Sequence, residues 1–82
     1  MELKIKLNTV KNAMLFATVC DGYEEDIDYL CGRYQIDAKS ILGLMGIGLE
    51  KECVVVLHSD DEYVKNKFKE DMKLWALEDY YE

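Results

Sequence analysis

Residues Asp37 to Gly48 read DAKSILGLMGIG, with Ile41, Leu42, Leu44, Met45 and Ile47 set among Gly43, Gly46 and Gly48. Three of the chain's five glycines fall in this one apolar run. A surface loop is ordinarily polar, and glycine inside a helix costs about 1 kcal/mol relative to alanine. The run is therefore neither an ordinary loop nor an ordinary core helix. It reads as a short helix between two strands, and the segments on either side decide what it belongs to.

On its N-terminal side, DIDYLC (Asp26 to Cys31) alternates polar and apolar residues and stops at Gly32-Arg33, a hairpin turn into YQIDA (Tyr34 to Ala38). Alternation of period two marks strands with one buried face. Further back, LKIKL (Leu3 to Leu7) alternates in the same way, with Leu3, Ile5 and Leu7 on the core side. Asn8 or Thr9 then caps a helix running to Cys20, whose apolar stripe of Val10, Ala13, Met14, Phe16, Ala17 and Cys20 is broad. On the C-terminal side, ECVVVLH (Glu52 to His58) is a β-branched strand with Cys53, Val55 and Leu57 on one face. SDDE offers Ser59 and Glu62 as a capping box for a last helix carrying Val64, Phe68, Met72 or Asp71, and Trp75 at three- and four-residue steps. The tail EDYYE is expected to fray, or to bring Tyr80 and Tyr81 back onto the body or into a dimer contact.

The order is strand, helix, strand, strand, short helix, strand, helix. It predicts one α+β domain over residues 1–82: a four-stranded, mostly antiparallel sheet with helices on one face. The chain contains no proline, so its turns rest on Gly, Asp and Asn.

Composition narrows the function. A formal net charge of −7 over 82 residues speaks against nucleic acid as the partner, because phosphate backbones select basic surfaces. No run of eighteen apolar residues could span a membrane. The start lacks the basic, apolar, small-residue pattern of a leader, so the chain is expected in the cytoplasm. Cys20, Cys31 and Cys53 form no CxxC pair and sit among apolar neighbours, and are expected as small buried thiols in a reducing compartment. One histidine and scattered cysteines give no zinc set. Asp21, Glu24, Glu25, Asp26 and Asp28 crowd carboxylates together, but a calcium loop needs its glycine at the sixth position, and DGYEEDID has it second. The run reads as a solvated turn. With no nucleophile–base pair, phosphate loop or metal cluster in view, neither an enzyme activity nor a cofactor is expected.

At AKSILGLMGIG the chain resembles HPr, the small phosphocarrier of the bacterial phosphotransferase system, around that family's regulatory serine. HPr proteins read Lys-Ser-Ile-Met-Gly-Val-Met-Ser-Leu-Gly there, and Lys39, Ser40, Ile41, Gly43, Met45 and Gly48 fall in step. Hairpin spacing from Asp26 to Ser40 also matches, and the strand order is the HPr order. The resemblance implies an HPr-like open-faced β-sandwich with Ser40 as the N-cap of the short helix. It implies an exposed docking patch of Ile41, Leu42 and Met45 beside Lys39, with Leu44 and Ile47 in the core. Gly43 and Gly46 would let this helix lie close to its neighbours. Arg33 and Lys51 would supply weak basic contacts.

The departure lies at the family's active site. HPr carries phosphate on a histidine in a Gly-Ile-His-Ala-Arg-Pro segment between the first strand and first helix. Here that junction reads LNTVKNAML, without histidine, arginine or proline, and Lys11 is its one cation. The only histidine, His58, closes the fourth strand instead. The chain therefore reads as a non-catalytic HPr-like regulatory or protein-interaction module that keeps the serine and has lost the carrier group. Phosphorylation of Ser40 would add roughly −1.5 to −2 charges at a helix N-terminus, where negative charge is favoured. The partners implied are an HPr kinase/phosphorylase and a transcriptional regulator of carbon catabolite control. The alternatives are a phosphocarrier using His58, or a structural domain that self-associates through the short helix.

Overall fold

Alternating lysines and aliphatic residues at the start do build a strand. In the computed structural model, which describes residues 1–81 with side chains through residue 77, β1 (Glu2–Ile5) buries Leu3 and Ile5 and leaves Lys4 half-buried on the other face. Thr9 caps α1 (Val10–Asp21) by accepting a hydrogen bond from the Asn12 N–H at 3.1 Å. The hairpin β2 (Ile27–Cys31) and β3 (Tyr34–Asp37) turns at Gly32, whose φ is 63°. Then follow α2 (Ile41–Ile47), β4 (Cys53–Leu57), α3 (Glu62–Asp71), a 3-10 turn (Met72–Leu74) and β5 (Ala76–Tyr81).

The sheet order is β3-β2-β4-β1-β5, and every pairing is antiparallel. Register places Leu3 opposite Val55, Tyr29 opposite Val55 on the other side, and Ile27 opposite Leu57. Those residues form one core with Ala13, Phe16, Ala17 and Cys20 of α1, Leu44 of α2, and Phe68, Met72 and Trp75 near the C-terminus. The helices therefore cover one face. The other face carries Lys4, Asp28, Leu30, Val54 and Val56 and stays open.

Three expectations are corrected. The sheet has five strands, because the tail does not fray: Ile5 pairs with Ala76 and Leu3 with Tyr81 across a register shift, and Lys6 N–H donates to Trp75 O at 3.1 Å. An unpaired β1 edge presents backbone donors and acceptors, and ALEDYY takes them up although its own pattern is not alternating. The contact expected of the Tyr80 and Tyr81 side chains lies outside the described residues. The cap of α3 is Asp61 rather than Ser59. Its carboxylate accepts from Tyr63 N–H at 2.8 Å and Val64 N–H at 3.2 Å, while Ser59 Oγ accepts from Asp61 N–H at 3.1 Å, before the helix begins. Two of the three cysteines are not thiols: Cys31 and Cys53 form a disulfide with Cα atoms 4.7 Å apart, and only Cys20 remains free. The bridge closes 22 residues, a loop whose lost unfolded-state entropy corresponds to about 3 kcal/mol in the chain-entropy picture.

Tyr29 is buried against Phe16, and its hydroxyl has no hydrogen-bond partner among the described residues. Burial accordingly pushes its ionisation up from the usual phenol range. An unsatisfied buried hydroxyl is destabilising, so Tyr29→Phe is expected to stabilise the domain by about 1 kcal/mol in urea unfolding. A loss of that size would show that the hydroxyl has a partner.

Candidate functional site

Ser40 opens α2 as expected. Its Oγ accepts from Gly43 N–H at 3.2 Å, its own N–H donates to Asp37 O at 2.9 Å, and the residue is exposed. Asp37 Oδ1 also accepts from Lys39 N–H at 2.8 Å, so the chain is turned sharply before the helix starts. Lys39 is held rather than splayed into solvent: Nζ donates to Tyr23 O at 2.6 Å. Tyr23 is fixed in turn by its hydroxyl, which donates to Asp71 Oδ2 at 2.6 Å. Desolvation, and then that carboxylate, raise its ionisation well above the ordinary phenol range.

A helix of seven residues can hide only one side. Leu44 is that side, fully buried, while Ile41 and Ile47 are half-buried against the core. Leu42 is 83% exposed and Met45 42%. Leu42 and Met45 thus present apolar side chains to solvent with Ile41 half-buried beside them, and Ile47 lies nearer the surface than expected. α1 extends it. Met14 is 56% and Val10 48% exposed, whereas the apolar pattern of the helix places both in its buried stripe. The broad stripe is in fact two: Ala13, Phe16, Ala17 and Cys20 meet the sheet, while Val10 and Met14, four residues apart, face outward. That i, i+4 spacing beside a complete core stripe was the overlooked signal. Between the two helices lies a groove of about 360 Å³, lined by Met14, Ala17, Thr18, Asp21, Lys39 and Ile41.

The glycines of the opening run have different causes. A Cβ on Gly43 would stand 3.1 Å from Ile36 Cδ1, a tight approach that obliges the isoleucine to give by a few tenths of an ångström. Gly48 has φ 109°, a conformation that L side chains rarely adopt. Gly46 faces open space, contrary to the close approach expected of it. Gly46→Ala is therefore expected to stabilise the domain by about 0.5–1 kcal/mol, with Gly43→Ala falling about 1 kcal/mol below it. Paired urea titrations check both, and equal effects would contradict the geometry.

The basic residues do not converge on Ser40. Arg33 lies at the far end of β3, which is roughly 13 Å long at four residues. Lys51 lies beyond the opposite end of α2, lining a groove of about 500 Å³ with Asn8, Val10, Gly48, Leu49 and Glu50. Only Lys39 adjoins the serine. Arg33 and Lys51 thus stand at the ends of β3 and α2 that lie away from Ser40.

The β1–α1 junction meets the α2–β4 loop in that second groove. Asn8 takes a positive φ of 70° and its N–H donates to Leu49 O at 2.8 Å. Asn12 Nδ2 donates to Leu7 O at 2.8 Å, tying the first turn of α1 back to the chain that leads out of β1. His58 lies elsewhere. β1 runs antiparallel to β4 with Ile5 opposite Cys53, so the α1 start adjoins the beginning of β4, while His58 follows its end. Five strand residues separate the two, roughly 16 Å. His58 Nε2 contacts Asp28 Oδ2 at 2.8 Å on the open face. Among the described residues no group of three or more His, Cys, Asp or Glu is arranged to hold a metal, and no helix is long and apolar enough to cross a membrane.

The model of the family described as "PTS HPr component phosphorylation site" matches residues 9–72 of this chain. Among solved structures, HPr-C-His from Thermoanaerobacter tengcongensis aligns with a TM-score of 0.71 at 23% identity, covering 88% of this chain and 89% of that one. The phosphocarrier protein HPr from Bacillus anthracis str. Ames aligns with a TM-score of 0.64 at 17% identity, covering 83% and 89%. At these identities the two structures speak for the fold. No curated protein matches the chain in sequence.

Proposed function

This chain belongs to the HPr component family of the phosphotransferase system, and on that premise we propose that it is a non-catalytic, regulatory protein-interaction module rather than a phosphocarrier. The observation that carries this reading is the β1–α1 junction. Where the family's carrier imidazole is expected, Asn8, Thr9 and Val10 stand, with their polar groups spent on the turn and the cap. Phosphoryl transfer needs an accessible neutral nitrogen beside groups that steady the added charge. His58 sits at the other end of the sheet against a carboxylate, which repels a phosphoryl group.

What the family's scaffold keeps is a docking face. Ile41, Leu42 and Met45, with Met14 across the groove, form a contiguous apolar surface on a small, strongly acidic domain, as contact sites do. Ser40 at its edge is an exposed hydroxyl with its oxygen at a helix start, so a phosphate there would change the rim without unfolding the domain. An HPr kinase/phosphorylase as writer and a transcriptional regulator as reader fit this arrangement.

Incubation with phosphoenolpyruvate and the first enzyme of the system is expected to transfer no phosphate to this chain. Acid-labile label on His58, lost in His58→Ala, would make it a carrier and end this reading. Affinity capture from the source cell, comparing wild type with Ser40→Asp, tests the regulatory half. Identical partners in identical yield would leave Ser40 as a helix cap alone.

A further inference from the structure

We propose that Cys31 and Cys53 form a reversible dithiol–disulfide site that governs the order of residues 32–52, the segment carrying α2. It rests on the docking role proposed above only for the consequence, not for the chemistry.

The pairing follows from the sheet itself. Antiparallel register sets Ile27 opposite Leu57 and Tyr29 opposite Val55, and its continuation sets Cys31 opposite Cys53, both on the core face. Directly opposed residues of a pair that does not exchange backbone hydrogen bonds approach to about 4.5 Å between Cα atoms, and here the separation is 4.7 Å. Forming or breaking the bond therefore needs no rearrangement of the backbone. Placement makes it consequential. Cys31 is the last residue of β2 and Cys53 the first of β4, so the bridge stands at the root of the excursion through β3, Ser40 and α2. It also holds the start of β4 next to the loop whose Leu49 accepts from Asn8. Strand ends are where a ladder opens first. With the bond in place such fraying leaves the excursion closed. Without it, the strand ends and the segment between them can open together.

Access also comes from the ends. Both sulfur-bearing residues are nearly covered, so attack requires the ends to open transiently. A dithiol reductant attacks one Sγ as thiolate, forms a mixed disulfide and expels the other Sγ as thiolate. The reductant's second thiol, as thiolate, then attacks the reductant's own sulfur in the mixed disulfide, closing its cyclic disulfide and expelling the remaining Sγ as thiolate. Two electrons and two protons pass to Cys31 and Cys53, and the reverse exchange with a disulfide oxidant restores the bond. Cys20 stands apart: it is fully buried, and desolvation pushes its thiol up to about 12, so it offers little thiolate to reshuffle the pair.

The test uses the whole wild-type chain, with and without a small dithiol. Alkylation under denaturing conditions is expected to count one thiol per chain before reduction and three after. Amide exchange across residues 32–52 is expected to accelerate roughly tenfold or more on reduction, beyond any change in α1. A Cys31→Ala/Cys53→Ala chain should exchange at the reduced rate in both conditions. Three thiols in protein purified and oxidised without dithiol would overturn the site. Exchange in residues 32–52 that ignores reduction, or that responds to dithiol equally in the double variant, would overturn its control of the segment. None of these readouts involves phosphate or a partner, so they stand or fall separately from the docking reading.

Discussion

Leu42→Asp and Met45→Asp are expected to weaken partner binding at least about 30-fold each, because central apolar anchors of an interface carry about 2 kcal/mol or more. Leu42 is almost wholly in solvent, so Leu42→Asp should change the stability of the free domain by no more than about 0.5 kcal/mol. This separation of effects is what gives the pair its force. A core residue loses binding by unfolding, whereas a docking residue loses it with the fold intact. The check is titration of whatever partner affinity capture yields, alongside urea unfolding of each variant. Undiminished affinity with either aspartate would remove α2 from the interface. Val10→Asp, on the neighbouring stripe of α1 and near the β1–α1 junction, would then show whether the second groove is the contact instead.

Phe16→Ala should be the most damaging single truncation, costing about 3–5 kcal/mol. Phe16 is fully buried at the crossing of three elements. Its ring lies 5.6 Å from that of Tyr29 on β2 and 5.5 Å, edge to face, from that of Trp75 beyond α3. Alanine leaves a cavity that none of them can fill without leaving its place on the sheet or at the C-terminal turn, and it removes favourable aromatic contacts as well. Domains of this size have about 5–15 kcal/mol in hand, so the variant would lose a large share of its stability. Calorimetry or urea titration decides it. A loss below about 1.5 kcal/mol would mean that the aromatic crossing collapses around the gap.

Much of this was legible in the chain because it depends on spacing alone. Lys4 and Lys6 between Leu3, Ile5 and Leu7 fix which face of a strand is wet. Gly32-Arg33 between two alternating runs makes a hairpin, and Ser40 ahead of an apolar run makes a capped helix. Thr9 was one of two residues expected to cap α1, and it does. Each depends on neighbours a few residues away. Non-local features escaped. Val10 and Met14 looked like core because composition does not tell which stripe of an apolar helix finds the sheet. Asp61 displaced Ser59 as a cap because the helix begins at Glu62, which leaves Asp61 beside its free N–H groups and Ser59 two residues short of them. Arg33, Lys39 and Lys51 lie close in sequence terms around one helix, yet Arg33 and Lys51 flank the Cys31–Cys53 end of the sheet while Lys39 follows β3 at the other.

By itself the sequence determined the strand and helix order from β1 to α3, the serine-capped apolar helix and the absence of histidine from the β1–α1 junction, since periodicity, capping and residue identity are local properties of the chain. Only the tertiary structure decided that β1 takes a fifth strand, that Cys31 meets Cys53, and that Met14 joins Leu42 and Met45 at the surface. Those outcomes depend on register between segments tens of residues apart, and register is chosen by the burial of the whole face at once.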